Sequence, residues 1–209
     1  MIKYKVAAFD MDGTLLKDDS SWVAIHKHFG TEEIGKSSLE LYTRGKITYS
    51  EFMKRDIAAW PRGIRRQEIE EILSNYRIRD EAKYTVSKLK AMGIEPVIVT
   101  SGIDILASSV ARDLGIKKWI ANSLVFDRDD RLRERGICMV EPLRKDKAFL
   151  KMLSELKIEK SKAIAVGDTH YDLSFLRKAG IGFMLAHTYE AREPSIINIK
   201  KLDEIFNYI

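Results

Sequence analysis

The chain has 209 residues, 45% of them hydrophobic, which excludes a disordered chain and suffices for one sizeable core or a core with a small insertion. No apolar run approaches the roughly 20 residues of a membrane helix, and the net charge of +5 is too dispersed to predict a nucleic-acid partner. Cys138 is the single cysteine and the N-terminus has no signal-peptide pattern, so we expect a cytoplasmic protein without disulfides.

An apolar stretch at residues 6–9 predicts a short buried strand, and an acidic turn follows it directly. Residues 10–14 read DMDGT, so Asp10 and Asp12 leave the strand two residues apart and Gly13 lets the backbone turn. Because side chains alternate along a strand, this spacing places both carboxylates on one side. Two adjacent acids repel each other, and a divalent cation would relieve that repulsion. A solvated turn is the alternative interpretation, since Asp and Gly are common in turns.

Residues 15–80 have helical periodicity and no good central strand. Ser20 or Ser21 is predicted to cap the first helix, and Gly30 to end it. The apolar stripes that follow predict three more short helices. We therefore expect a small helical module inserted after the first strand, at residues 15–80. The predicted core consists of residues 1–14 and 81–209.

From residue 81 onward, short apolar strands alternate with helices. This alternation predicts an α/β fold with a doubly wound, mostly parallel sheet. Strands are predicted at residues 96–100, 119–121, 163–166, 183–185 and 196–199. Helices are predicted at residues 103–114, 146–156, 171–179, which Gly180 would cap, and 202–208. A hairpin is predicted between 125 and 140, with its second strand at residues 137–140.

Acidic residues follow two of the predicted strands. Asp10 and Asp12 come after the first strand, and Asp168 follows residues 163–166, with Asp172 four positions later. In a doubly wound sheet the carboxyl ends of the strands form the ligand crevice, so these four acids are expected to meet there. Such a density of carboxylates is unfavourable without a cation, and oxygen ligands suit Mg²⁺. The sequence therefore predicts a magnesium site.

The remaining parts of a phosphoryl-transfer site are also present. Ser101 and Gly102 follow the second strand and offer a hydroxyl and a backbone N–H for a phosphoryl oxygen. A lysine near a later helix start, Lys145 or Lys147, would offset negative charge. Positioned oxygens, a metal, donors for the equatorial oxygens and a lysine are what phosphoryl transfer needs.

The predicted chemistry uses the two acids of the first motif in different ways. Asp10 would attack phosphorus and become an aspartyl phosphate. Asp12 would protonate the leaving oxygen and then activate a water molecule. The expected partner is a small phosphorylated metabolite.

The chain resembles the phosphatases of the haloacid dehalogenase (HAD) superfamily. Three motifs of that family occur in order: DxDGT at residues 10–14, an apolar strand ending in Ser or Thr at 97–101, and GDxxxD at 167–172. The lone lysine of the third motif is taken as Lys145, with Lys147 as the competitor. The resemblance implies Mg²⁺ as the cofactor, with Asp10, the backbone carbonyl of Asp12 and Asp168 as ligands and Asp172 as a ligand or a support. It implies a phosphate-binding set of Gly13, Thr14, Ser101, Gly102 and Lys145.

The helical insertion lies between the first and second motifs. This position resembles the branch of the family with a small helical cap, to which phosphoserine phosphatases belong. Those enzymes bind the substrate amine with a Glu, where this chain has Asp19, and the carboxylate with a cap Arg, where it has Asp56 beside Arg55. Asp19 and Arg55 are therefore the main candidate substrate-binding residues, with Trp22 and Arg44 as further candidates at the entrance, and the substrate stays open.

Two other functions share parts of this pattern. A phosphotransferase or phosphomutase acting on a sugar phosphate would use the same core and pass the phosphoryl group to a hydroxyl. A receiver-like signalling module also combines an acidic Mg²⁺ pocket, a phosphorylated Asp, a hydroxyl and a Lys. Receivers lack a cap insertion, however, and carry the phosphorylated Asp on a middle strand.

Overall fold

A mostly parallel sheet forms the centre of the fold in the computed structural model, which describes residues 3–18, 20–187 and 189–209. Within these residues the sheet has seven strands. They are β1 (Val6–Phe9), β2 (Glu95–Ile103), β3 (Lys118–Phe126), β4 (Leu132–Ile137), β5 (Ala163–Gly167), β6 (Ile181–Leu185) and β7 (Ile196–Ile199). The order is β4-β3-β2-β1-β5-β6-β7, and every neighbouring pair is parallel except β3 and β4. The predicted doubly wound α/β fold is confirmed.

Helices cover both faces of the sheet and fill the long connection after β1. They are α1 (Ser21–Phe29), α2 (Glu32–Thr43), α3 (Tyr49–Ala59), α4 (Arg66–Ile72), α5 (Ala82–Ala91), α6 (Asp104–Leu114), α7 (Lys145–Leu156) and α8 (Leu173–Leu176). The first four lie between β1 and α5, in the region predicted to be helical. None of the helices in the described part of the chain combines the length and apolar character needed to cross a membrane.

The central strand β1 has no exposed side chain, because both of its faces are covered. Val6 and Ala8 pack in one hydrophobic cluster with residues of α7 and α8, whereas Ala7 and Phe9 pack in a second cluster. That second cluster also contains residues of α5, α6 and the helices α1, α3 and α4. The helical region therefore shares a continuous apolar core with one side of the sheet.

The caps of α1 follow the sequence signals. The Ser20 hydroxyl accepts a hydrogen bond from the Trp22 N–H, and Gly30 closes the helix in the left-handed conformation at φ 66°. Both predicted boundaries are confirmed.

The two chain segments that enter and leave the helical region run side by side. Leu16 and Ile78 form an antiparallel β-bridge. Two ion pairs flank the bridge: Lys17 with Asp80 at 2.8 Å, and Asp18 with Arg77 at 2.7 Å. These pairs are partly exposed, so they contribute little stability individually, but they fix where the helical region joins the sheet.

The predicted hairpin exists, but its second strand was placed wrongly. β4 is Leu132–Ile137, not residues 137–140. This strand is mostly polar, which hid it from an apolar pattern, and it is covered on one side by α3. A Cβ added at Gly136 would lie only 2.4 Å from Cε of Met53, so the close approach of α3 explains the glycine in the strand.

The predicted helices near the C-terminus are shorter and tighter than expected. Residues 171–179 contain a 3₁₀ turn, His170–Asp172, followed by the single turn of α8. Gly180 is not a helix cap: its N–H donates to the Ala163 carbonyl beside β5. The closing helix predicted at 202–208 is a 3₁₀ helix, Leu202–Asn207.

Candidate active site

The site lies where the strand order reverses, at the carboxyl ends of β1 and its neighbours β2 and β5. In open α/β sheets this switch point is where ligands bind. Phe9 pairs with Val166, and the Asp10 N–H donates to the Val166 carbonyl at 2.9 Å. Asp10 therefore leaves β1 beside Asp168, which directly follows β5.

The turn after β1 packs tightly against Asp168. Gly13 has φ +81°, and a Cβ there would lie 2.3 Å from Oδ2 of Asp168, so only glycine fits. The Thr14 hydroxyl donates to Oδ1 of Asp168 at 2.7 Å, and the Gly13 N–H donates to the Asp18 carbonyl at 3.0 Å. Gly13 and Thr14 were expected to bind phosphate. Their donors are instead engaged with protein acceptors and support the turn and Asp168.

Arg79 was missed by the sequence reasoning. It follows the bridge residue Ile78 on the segment that returns from the helical region, and its guanidinium donates to the carbonyls of Gly13 at 2.6 Å and Thr14 at 3.0 Å. Arg79 therefore fixes the backbone of the acidic turn. No motif marks it, since its partners are backbone atoms 65 and 66 positions away.

Lys145 lies between two carboxylates. Its Nζ donates to Oδ1 of Asp10 at 2.8 Å and to Oδ1 of Asp172 at 2.5 Å, and all three residues are buried. Burial alone lowers the pKa of Lys145, but the charges of Asp10 and Asp172 outweigh it, so the pKa is raised above its ordinary value. Lys147, the competing residue, is exposed on α7.

Asp172 has both oxygens engaged. Its Oδ1 accepts from Lys145, and its Oδ2 accepts from the N–H groups of Asp168 and Thr169 at 3.0 Å and from the Thr169 hydroxyl at 3.2 Å. It is fully buried, and a Cβ on Gly167 would collide with it. This geometry favours Asp172 as a residue that orients Asp168 and Lys145.

Three acids form a compact group at this edge. Carboxylate oxygens of Asp10, Asp168 and Asp172 lie within 4.8 Å of one another. Burial, and then the charges of Asp10 and Asp172, raise the pKa of Asp168 to about 8. Burial also raises the pKa of Asp10 to about 6, against the opposing charge of Lys145. The single positive charge of Lys145 thus does not balance the charge of the three acids. Their carboxylate oxygens could hold a hard divalent cation.

Asp12 lies beside this group and is held by α1. Its Oδ2 accepts from the N–H of Ser21 at 3.2 Å and from the Ser21 hydroxyl at 3.1 Å. Burial, and then the charge of Asp10, raise the pKa of Asp12 to about 7. A carboxyl group in this state can hold and release a proton near neutral pH.

The end of β2 also reaches Asp12. A Cβ added at Gly102 would lie 2.5 Å from Oδ2 of Asp12, so Gly102 faces the acids. Thr100, two residues earlier, is buried, and its hydroxyl accepts from the Gly102 N–H at 2.9 Å. Thr100 therefore competes with Ser101 for the role of phosphate-binding hydroxyl. The second motif accepts Ser or Thr, and this alternative was overlooked.

The carbonyl of Ser101 joins the helical region to the sheet. It accepts hydrogen bonds from Nε1 of Trp22 at 3.1 Å, the Tyr49 hydroxyl at 3.3 Å and Nδ2 of Asn122 at 2.9 Å. Trp22 belongs to α1 and Tyr49 to α3. The two helices are therefore seated directly over the end of β2.

The structure places only one of the candidate substrate-binding pair Asp19 and Arg55. Asp19 lies outside the described residues. Arg55 is exposed on α3, next to the buried Asp56. Asp56 points into the helical region, where its Oδ2 lies 3.1 Å from Nε2 of His26, and burial raises its pKa against the opposing effect of His26.

Comparison with known proteins identifies the fold family. The sequence model of the haloacid dehalogenase-like hydrolases matches residues 4–180. The chain belongs to this family. The predicted resemblance and the prediction of a hydrolytic enzyme are confirmed, and the match favours this interpretation over a receiver-like signalling module.

Named relatives and solved structures agree with the family. Phosphoserine phosphatase of Methanocaldococcus jannaschii is 26% identical over 212 residues, covering 99% of this chain and 98% of the relative. Phosphoserine phosphatase of Wolinella succinogenes is 26% identical over 211 residues, covering 98% and 100%. A solved phospho-aspartyl intermediate analogue of phosphoserine phosphatase matches with a TM-score of 0.80 at 23% identity, covering 99% of both chains. At that identity the structural likeness shows the fold.

Proposed function

We propose that this chain is a Mg²⁺-dependent phosphatase that hydrolyses a small phosphomonoester through an aspartyl phosphate on Asp10. The observation that carries the proposal is the buried contact of Lys145 with Asp10, next to Asp168 and within reach of the second acid, Asp12. The proposed nucleophile Asp10, the proton carrier Asp12 and the ammonium group of Lys145 thus lie together at the switch point of the sheet.

The donor set fits a magnesium ion. Asp10 and Asp168 supply carboxylate oxygens, the fold family adds the backbone carbonyl of Asp12, and Asp172 orients Asp168. Mg²⁺ prefers hard oxygen ligands, and its binding would relieve the repulsion among these buried carboxylates. When bound, the ion supplies positive charge that stabilises the transferring phosphoryl group.

In the first half-reaction a carboxylate oxygen of Asp10 attacks phosphorus, and the bond from phosphorus to the ester oxygen breaks. Asp12 gives its proton to that oxygen, which leaves as an alcohol. Lys145 holds Oδ1 of Asp10 and compensates charge on the phosphoryl oxygens. The hydroxyl of Thr100 or Ser101 is the candidate donor to those oxygens, because the Gly102 N–H is engaged with the Thr100 hydroxyl.

In the second half-reaction water attacks the phosphorus of the aspartyl phosphate. Asp12, now a carboxylate, takes a proton from the water, and the bond from phosphorus to Asp10 breaks. Inorganic phosphate leaves, and both acids return to their starting states. The same residue therefore acts first as an acid and then as a base.

We further propose that residues 15–80 form a cap over this site, with residues 1–14 and 81–209 as the core. The hydrogen bonds of Trp22 and Tyr49 to the Ser101 carbonyl support a cap seated on the sheet. Phosphoserine is the first substrate to test, because the named relatives are phosphoserine phosphatases. The burial of Asp56 leaves recognition of the substrate carboxylate to Arg55 or to another residue. A cytoplasmic location and the lack of a nucleic-acid partner stay predictions.

The test is turnover of 4-nitrophenyl phosphate in Mg²⁺ by Asp10→Asn and by Asp129→Asn, an exposed hairpin residue, as the matched control. Asp10→Asn is expected to abolish turnover while its circular dichroism spectrum stays native, and Asp129→Asn is expected to keep wild-type activity. Near-normal turnover by a folded Asp10→Asn protein contradicts the nucleophile. Phosphoserine and sugar phosphates are then compared, and release of inorganic phosphate separates hydrolysis from phosphotransfer.

A further inference from the structure

Ser21, the first residue of α1, makes a contact with Asp12 that no sequence motif predicts. Its N–H donates to Oδ2 of Asp12 at 3.2 Å, and its hydroxyl donates to the same oxygen at 3.1 Å. Ser21 is 1% exposed. Two donors from one residue therefore converge on one oxygen of the proposed acid/base.

The other side of Ser21 is attached to the sheet. Its Oγ accepts a hydrogen bond from the Ile103 N–H, at the end of β2, at 3.0 Å. A Cβ added at Gly102 would lie 2.9 Å from this Oγ and 2.5 Å from Oδ2 of Asp12, so the three groups are in close packing. The hydroxyl has one donor and one acceptor in fixed positions, which leaves its orientation no freedom.

Only one oxygen of Asp12 is engaged in this way. Oδ1 of Asp12 is buried and has no hydrogen-bond partner among the described residues, 3–18, 20–187 and 189–209. A buried carboxyl oxygen without a partner is costly unless a ligand or water meets it. With Oδ2 held, rotation of the carboxyl group is blocked and Oδ1 keeps one direction.

We propose that Ser21 is a positioning residue for Asp12: it holds Oδ2, so that Oδ1 faces the ester oxygen that leaves the substrate. The inference rests on the proposed phosphatase function, since it gives Asp12 the role of proton donor. Misplacement of a donor by about 1 Å is enough to slow a reaction by up to about 10²-fold. A hydroxyl on the first helix of the proposed cap would therefore control proton transfer in the core.

This contact also joins cap docking to the chemistry. Ser21 and Trp22 belong to α1, and their partners Asp12, Ser101 and Ile103 belong to the sheet side. If α1 moves away from β2, Ser21 leaves Asp12 and the carboxyl group can rotate. Seating of the cap and orientation of the proton donor then occur together.

The test compares kcat/KM for phenyl phosphate and 4-nitrophenyl phosphate, two substrates of similar size. kcat/KM reports the steps up to departure of the phenol, and the poorer leaving group needs the proton more. In Ser21→Ala, kcat/KM for phenyl phosphate is expected to fall about tenfold more than kcat/KM for 4-nitrophenyl phosphate. If the role of Ser21 is purely structural, kcat/KM falls equally for both substrates.

Ser20→Ala is the matched control, because the Ser20 hydroxyl caps the same helix through the Trp22 N–H, whereas the hydrogen bonds to Asp12 come from Ser21. It is expected to leave the ratio of the two substrates unchanged. If Ser21→Ala does not fold, Ser21→Cys, which keeps the size but weakens the donor, is measured in its place. An unchanged ratio in the folded Ser21 variant, with Asp10→Asn inactive, overturns the role of Ser21 alone. Activity in Asp10→Asn would overturn the proposed function instead.

Discussion

Two buried clusters of titratable side chains differ in how their charges are balanced. At the sheet edge, Asp10, Asp168 and Asp172 share one lysine, Lys145. Burial and mutual repulsion raise the pKa values of Asp10 and Asp168. The charge of Lys145 therefore leaves part of the repulsion among these acids uncompensated. Raised pKa values of this kind are typical of a functional site.

In the helical region, the single acid Asp56 faces the single imidazole of His26 at 3.1 Å. Nδ1 of His26 lies 2.8 Å from the Thr31 hydroxyl and 3.3 Å from Nε1 of Trp60, which donates to it. These contacts join Asp56, His26, Thr31 and Trp60 within the helical region. The comparison indicates that Asp56 stabilises the helical region, whereas the acids at the sheet edge are placed for chemistry.

The largest expected effect on stability comes from the cluster of Asp56 and His26 in the helical region. His26→Ala removes three polar contacts and leaves Asp56 buried without its partner, so the free energy of unfolding is expected to fall by about 3–5 kcal/mol. His28→Ala, on the same helix but exposed, is expected to change it by less than about 0.5 kcal/mol. Urea unfolding measures both. Below the unfolding transition His26→Ala should keep kcat within about tenfold; a folded but inactive variant would place His26 in the active site.

Replacement of Lys145 tests the acidic group at the sheet edge. Lys145→Met keeps the length of the side chain but removes the charge beside Asp10, and kcat is expected to fall on the order of 10²–10³-fold. Lys147→Met, on the exposed side of α7, is expected to keep wild-type kcat. Steady-state kinetics on 4-nitrophenyl phosphate distinguishes the two lysines. A larger loss in Lys147→Met would reverse the assignment.

Magnesium is expected to stabilise the chain by binding at the acids of the sheet edge and not at the cluster of Asp56 and His26. At 100 times its dissociation constant, Mg²⁺ should raise the free energy of unfolding of the wild-type chain by about 2.7 kcal/mol. Asp168→Asn removes a ligand, so this stabilisation is expected to be largely lost, whereas His28→Ala should retain it. Thermal melts with Mg²⁺ and with chelator provide the measurement. Equal stabilisation of wild type and Asp168→Asn would contradict the site.

The smallest expected effect is on the pH dependence of stability in chelator. The pKa of Asp168 is raised in the folded chain, to about 8, so the folded state binds its proton more tightly than the unfolded state does. The free energy of unfolding should therefore fall by about 2 kcal/mol as pH rises from 6 to 8 for this group, because the slope lessens as pH approaches the pKa. Asp168→Asn should reduce the slope, and Asp12, whose pKa is raised to about 7, should keep part of it. An increase in stability from pH 6 to 8 would contradict the raised pKa.

The acids at the sheet edge were predictable because they follow buried strands. Asp10 and Asp168 come directly after β1 and β5, and the doubly wound topology brings strand ends together whatever their separation in sequence. The apolar alternation and the helix caps at Ser20 and Gly30 are local signals, so those elements were placed well.

Contacts between distant segments were not predictable from one sequence. Arg79 binds backbone carbonyls of the acidic turn, and Ser21 binds Asp12 through its N–H and its hydroxyl; neither contact leaves a sequence pattern. Asp56 was assigned a place facing the substrate by register alone, and the burial of His26 beside it could not be anticipated. β4 was misplaced because α3 covers it, so that a polar strand is stable there.

Formation of an aspartyl phosphate at Asp10 is the central step of the proposed mechanism. Asp12→Asn is incubated with Mg²⁺ and 4-nitrophenyl phosphate, whose good leaving group allows the first step while the second is slowed. The protein is quenched in acid and reduced with borohydride, which converts an aspartyl phosphate to homoserine, and its peptides are sequenced by mass spectrometry. We predict homoserine at position 10 and nowhere else. Release of 4-nitrophenol with homoserine at another aspartate would contradict the account.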